Sequence, residues 1–263
     1  MRTNQPIGFF DSGVGGVTIW KEVHKLLPYE NTIYLADSKY APYGNRPRQE
    51  IIELSIKNVQ KLQDFGCKLV VVACNTATTN AIEILREKFT IPLIGIEPAI
   101  KPAALLSKTK SIGILATKGT LNSDHFHKTS KHFSDHVVIT EIVGEGLVPL
   151  IEEGKINSQE MLLLLKKHIL PMLQADADYI VLGSTHFPHL RPILEKLLPI
   201  NVHVIDSGEA VAKQTKKVLY EQNLLQPEEH NPSCKFYTNK DTDVLNSLLK
   251  DYGSSVSVEF LDF

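Results

Sequence analysis

Short apolar runs recur along the chain at residues 7–10, 32–36, 69–73, 93–96, 111–116, 137–143, 179–183 and 202–205, mostly apolar at consecutive rather than alternate positions. Strands covered on both faces carry that pattern, which predicts parallel strands sandwiched by helices. Between the runs lie segments whose apolar residues repeat at helical spacing, clearest at 48–65, 76–89, 158–173 and 208–221, with a further helix predicted to begin near Val17. The alternation predicts an α/β fold in which ligands bind beyond the carboxyl ends of the strands. After Asp206 come a helix, a polar stretch at 226–233 and two short strand-like segments, a tail predicted to pack back on the first half.

Two pairs of strand ends echo one another. PIGFFDSGVG (6–15) resembles SIGILATKGT (111–120), and VVVACNTA (70–77) resembles YIVLGSTH (179–186). These echoes predict two pseudo-symmetric lobes, each a mainly parallel sheet flanked by helices, with the active site between them. The first lobe is expected to comprise 1–97 plus 207–263 and to carry Asp11 and Cys74; the second, 98–206, carries Ser184 and His186.

Composition narrows the function more than the fold. The 28 basic and 30 acidic residues give a net charge of −2 with no long block of either sign, so nothing calls for nucleic acid. No apolar run approaches the roughly 20 residues that span a bilayer, and residues 1–6 carry no signal-type segment, so no membrane partner is expected and a cytoplasmic location is the default. Cys67, Cys74 and Cys234 are too few and too scattered for a disulfide framework or a thiolate metal site, and each is read as a free thiol.

The strand ends carry the candidate chemistry. In FFDSGVGG (9–16), Asp11 and Ser12 precede three glycines before a helix, where backbone amides could approach a ligand. A phosphate loop is excluded by the missing Gly-Lys-Ser/Thr and the missing dinucleotide spacing, which leaves a small carboxylate or a glycine turn needed only for packing. In VVACNTAT (71–78), Cys74 ends a strand and Asn75, Thr76 and Thr78 open the next helix, a setting that can lower a thiol pKa; a buried core cysteine is the alternative. ADSKYAPYG (36–44) offers Asp37 to hold a loop, and Tyr43 and Gly44 to face a ligand. LGSTHFP (182–188) places His186 two residues after Ser184 without a nucleophile-elbow pattern. The histidines at 125, 127, 132 and 136 lack a zinc signature and are read as a solvated helix face, so no metal is expected.

Taken in order, FFDSGVGG, ADSKYAPYG, VVACNTAT, GIEPAIKPA, ILATKGT, LVPLIEEG and LGSTHFP resemble the bacterial glutamate racemases, within the aspartate/glutamate racemase group. The resemblance implies two facing α/β lobes, no cofactor, glutamate as substrate and a D-glutamate product for peptidoglycan synthesis. It implies two-base proton transfer, with Cys74 on one face of the α-carbon and the residue at 184 on the other. The family has a second cysteine there; this chain has serine. By the same resemblance Asp11 assists Cys74 and His186 assists position 184, with Asp37 and Glu152 in the surrounding hydrogen-bond network. Asp11, Ser12, Tyr43, Gly44, Asn75, Thr76, Thr185 and His186 hold the amino acid, with Thr117 and Thr120 as further carboxylate ligands. Serine is a much poorer base than a thiol at neutral pH, so reduced or abolished turnover is expected. The alternatives are an aspartate racemase, a single-cysteine decarboxylase or isomerase, and a non-catalytic amino-acid-binding homologue; a homodimer is left open.

Overall fold

Apolar runs of four to seven residues alternating with segments of helical period leave the chain one economical arrangement, in which each strand lies parallel to the last and the helices cover the sheet. The computed structural model describes residues 2–134, 136–227 and 231–263 and follows that arrangement. Met1, Asp135 of the histidine-rich segment and 228–230 of the polar stretch lie outside the described residues.

In chain order the elements are β1 (Ile7–Asp11), α1 (Val17–Leu26), β2 (Thr32–Ala36), α2 (Arg48–Asp64), β3 (Leu69–Val72), α3 (Asn75–Lys88) and β4 (Leu93–Gly95). Next come α4 (Ile100–Leu106), β5 (Ser111–Ala116), α5 (Lys118–Leu121), α6 (Asp124–Ser134), β6 (Val138–Val143) and α7 (Leu147–Glu152). α8 (Gln159–Gln174), β7 (Tyr179–Gly183), α9 (Arg191–Leu197), β8 (His203–Ile205), α10 (Gly208–Glu221), β9 (Cys234–Thr238), α11 (Asp243–Leu249) and β10 (Val256–Phe260) complete the chain.

Two sheets result, ordered β10-β9-β2-β1-β3-β4 and β6-β5-β7-β8, and all the strand pairs are parallel. Four strands of the first sheet, β2-β1-β3-β4, and all four of the second, β6-β5-β7-β8, therefore share one order, the architectural counterpart of the sequence echoes. The tail adds β9 beside β2, and β10 beyond it. Every residue of β1, β3 and β5 is buried, as their continuous apolar runs require. β6 departs from that expectation: it is an edge strand with no fully buried residue, Val138 being 62% and Val143 40% exposed. α6 carries His125, His127 and His132 but ends at Ser134, which leaves His136 off the helix, and no group of three His, Cys, Asp or Glu side chains converges on a metal-sized space among the described residues.

One buried ion pair escapes periodicity altogether. Lys68, at the start of the β3 run, has no exposed surface; its Nζ meets Glu30 Oε2 at 2.5 Å and the Leu224 carbonyl at 2.8 Å, and also bonds the Thr3 carbonyl. Glu30 Oε1 accepts the Gln226 amide at 2.8 Å, so this pair fastens the segment leading to β9 onto the six-stranded half.

Candidate active site

β1 and β3 end side by side in the first sheet, and β5 and β7 end side by side in the second. The loops after these strands close on a small cavity of about 10 Å³, room for roughly one water molecule. Ser12, Tyr43, Gly44, Cys74, Asn75 and Thr76 line it from the six-stranded half, and Thr117, Ser184, Thr185 and His186 from the four-stranded half. Pro42 and Val148 complete the lining and had no sequence signal of their own. Asp11 and Glu152 stand behind the wall rather than in it.

Cys74 caps the N-terminus of α3: its Sγ accepts the Ala77 amide at 3.4 Å and lies 3.7 Å from Ser12 Oγ. A helix N-terminus lowers a thiol pKa, yet in this closed site burial dominates and the Asp11 carboxylate adds to it. The thiol is pushed up well beyond its ordinary value despite the Ala77 and Ser12 hydrogen bonds. The expected activation by the helix terminus alone is thus outweighed, and Cys74 rests protonated. Asp11 is itself raised, by burial against the opposing effects of His186 and of the Gly16 amide, which donates to Oδ2 at 2.9 Å. Thr185 reaches Asp11 Oδ1 from across the cavity at 3.3 Å.

The Asn75 side chain is the anomaly. It is 3% exposed, and neither its amide nitrogen nor its oxygen has a hydrogen-bond partner. A buried amide left unpaired on both ends is costly, and a ligand carrying both donors and acceptors would repair it. Thr76, Thr117 and Thr120 form a cluster of hydroxyls at 2.8 to 3.3 Å that joins the two halves; Thr120 is fully buried and lies behind Thr117.

Opposite Cys74, Ser184 follows β7 and is 4% exposed. Its Oγ accepts the His186 main-chain amide at 3.4 Å, while the His186 ring turns away to Glu152, with Nε2 2.5 Å from Oε1. Burial disfavours charge on His186, but the Glu152 hydrogen bond and the Asp11 and Glu152 carboxylates outweigh it and raise its pKa.

Two of the three glycines of FFDSGVGG, Gly13 and Gly15, answer to this pair, while Gly16 lies against Tyr34 Oη and the Ala73 carbonyl of its own half. A Cβ on Gly13 would lie 2.0 Å from Glu152 Oε1, and one on Gly15 would lie 2.3 Å from His186 Nδ1. The loop is bare so that these two side chains of the other half can seat against it, the packing alternative to a ligand cradle. Asp37 acts at one remove: it accepts Tyr43 Oη and Asn239 Nδ2 at 2.5 Å each, Asn58 Nδ2 at 3.0 Å and Lys57 Nζ at 3.2 Å, fixing the ring that lines the cavity. Asn58 and Asn239 were not singled out from the sequence; Asn239 sits beyond β9, some two hundred residues from its partner.

Two halves with parallel sheets thus bring a thiol at a helix N-terminus and a facing Ser-Thr-His loop to one enclosed, largely polar cavity. The family model described as Asp/Glu/Hydantoin racemase matches residues 23–215. The chain belongs to that family and is an isomerase of the amino-acid racemase type. It is 41% identical over 238 residues to the glutamate racemase of Herpetosiphon aurantiacus, covering 90% of this chain and 94% of the relative. Among solved structures it is similar to Escherichia coli glutamate racemase in complex with L-glutamate and the activator UDP-MurNAc-Ala, with a TM-score of 0.86, 34% identity and 98% of each chain covered. It is also similar to the Francisella tularensis enzyme in complex with D-glutamate, with a TM-score of 0.84, 28% identity and 99% and 98% covered.

Proposed function

We propose that this chain is a glutamate racemase that interconverts the enantiomers by proton transfer at the α-carbon without a cofactor, in the cytoplasm, where it provides D-glutamate for cell-wall peptidoglycan. The observation that carries the reading is the unpaired Asn75 amide in a cavity shared by Cys74 and Ser184. Relatives with this architecture bind L-glutamate in one case and D-glutamate in another, which supports the substrate assignment. The lobes are taken as 1–97 plus 207–263 and 98–206. The packing of α10 on α1 and of α4 on β5 and β7 supports that division.

In this reading Asn75, Thr76 and Thr185, with the Ser12 hydroxyl, the Tyr43 side chain and the Gly44 backbone, hold the ammonium and carboxylates. Cys74 attacks the α-hydrogen from one face. The bound ammonium supplies the positive charge that a buried thiolate beside Asp11 lacks, so Asp11 takes the thiol proton as the substrate arrives. On the other face Ser184 stands where the family has cysteine, with His186 and Glu152 behind it. A hydroxyl can donate a hydrogen bond but gives up its proton poorly, so Cys74 retains exchange at its own face and inversion is slow.

The test is solvent exchange. By the family's assignment, which gives Cys74 the proton of D-glutamate and position 184 that of L-glutamate, the α-hydrogen of D-glutamate should exchange faster in deuterium oxide, and Cys74→Ala should abolish that exchange. Failure of glutamate to bind would remove the proposal, and equal rapid exchange from both enantiomers would remove the assignment of Cys74 as the one competent base.

A further inference from the structure

Every group assigned to the reaction is almost wholly covered: Cys74 is 3%, Ser184 4% and His186 2% exposed. An amino acid reaches them only when the lobes part, so some contact across the seam must hold them shut and then let go. Glu152 occupies that place. It ends α7 in the second lobe with its side chain 8% exposed, and its carboxylate takes three donors. His186 Nε2 comes from its own lobe; the Val14 amide, at 2.7 Å, and Ser38 Oγ, at 3.0 Å, come from the first. Gly13 is bare beneath it, the space a Cβ would fill being taken by Oε1. Other polar contacts cross the seam, Thr18 Oγ1 to the Thr185 carbonyl at 3.0 Å, Thr185 Oγ1 to Asp11 at 3.3 Å, the Thr76 hydroxyl to Thr117 and Thr120 at 2.8 and 3.3 Å and Asn80 Nδ2 to the Gly119 carbonyl at 3.1 Å, but Glu152 gathers two donors of the first lobe on one carboxylate.

We propose that the Glu152 carboxylate is the clasp that closes the two lobes, with the Val14 amide and Ser38 as its receptors, and that Ser38 is a positioning residue that aims Glu152 at His186. What passes through the opened seam rests on the racemase reading; the clasp itself does not. Closure and the alignment of His186 are then one event, because the oxygen that receives Val14 is the oxygen that receives His186.

Amide hydrogen exchange at Val14 reads the clasp directly, with Val71 in the core of β3 as the internal reference. A hydrogen bond to a charged acceptor shifts an equilibrium by about tenfold to a hundredfold. Ser38→Ala should speed exchange at Val14 by about tenfold, Glu152→Gln by more, and Ser38→Thr should restore protection, while Val71 stays unchanged throughout. Unchanged exchange at Val14 in both Ser38→Ala and Glu152→Gln would overturn the proposal, as would Val71 rising in step with Val14. Glutamate binding is measured on the same samples. If no glutamate binds, the functional reading fails while exchange at Val14 still decides the clasp.

Discussion

Replacing Ser184 with cysteine isolates the missing half of the proposed chemistry. Ser184 is buried and its hydroxyl meets only the His186 amide at 3.4 Å, so a thiol enters a site with no strong hydrogen bond to forfeit. The substitution is close to isosteric, and a change in unfolding midpoint beyond a few degrees is not expected. The kinetic effect is of another order. A positioned acid–base group contributes about 10² to 10⁴ in rate, equivalent to about 2.7 to 5.4 kcal/mol at 1.36 kcal/mol per decade. Circular dichroism follows racemisation from either enantiomer, so the parent chain and Ser184→Cys can be compared at saturating substrate, with Ser184→Ala as the reference lacking any functional group. The expected result is a gain of at least a hundredfold for the cysteine variant, with exchange at the two faces brought close together. A parent chain that already turns over as fast as the cysteine variant would refute the argument, since the hydroxyl would then be serving as a competent base.

Two further outcomes concern charge inside the fold. Asp11 is held above its ordinary value, chiefly by burial, so the folded protein binds its proton more tightly than the unfolded chain does. That stabilisation is complete below about pH 3.9, the usual aspartate value, and is lost as the pH rises through the folded value. Asp11→Asn never ionises, so its unfolding midpoint should gain on the parent between acid and neutral pH; a constant difference would contradict the burial argument. Glu30→Ala should cost about 3 to 5 kcal/mol in urea unfolding, because it strands a buried Lys68, whereas the double change Glu30→Gln with Lys68→Met should cost much less.

The lobed α/β fold was legible in the apolar runs because strands covered on both faces leave no polar alternation, and the echo of PIGFFDSGVG in SIGILATKGT pointed to two like halves, whose sheets share one strand order. β6 misled because an edge strand can be apolar and still have no fully buried residue. Cys74, Ser184 and His186 were legible as polar residues at strand ends. Ser38 was in plain view beside Asp37 but unmarked, since its partner Glu152 is 114 residues away and only folding joins them. The glycines of the first loop were read toward a ligand because a sequence records that a backbone is bare without recording what lies against it.

The common order of β2-β1-β3-β4 and β6-β5-β7-β8 bears on energetics as well as descent. Mirror-image amino acids have equal free energy in water, so catalysis between them must run forward and backward with the same specificity constant whatever the protein does. A scaffold of two like halves can meet that demand with matched barriers on either side of a shared intermediate. In the proposed mechanism serine on one side cannot tilt the equilibrium; it makes the two ascents unequal, so that the slower one governs both directions while the faster one goes on trading hydrogen with the solvent.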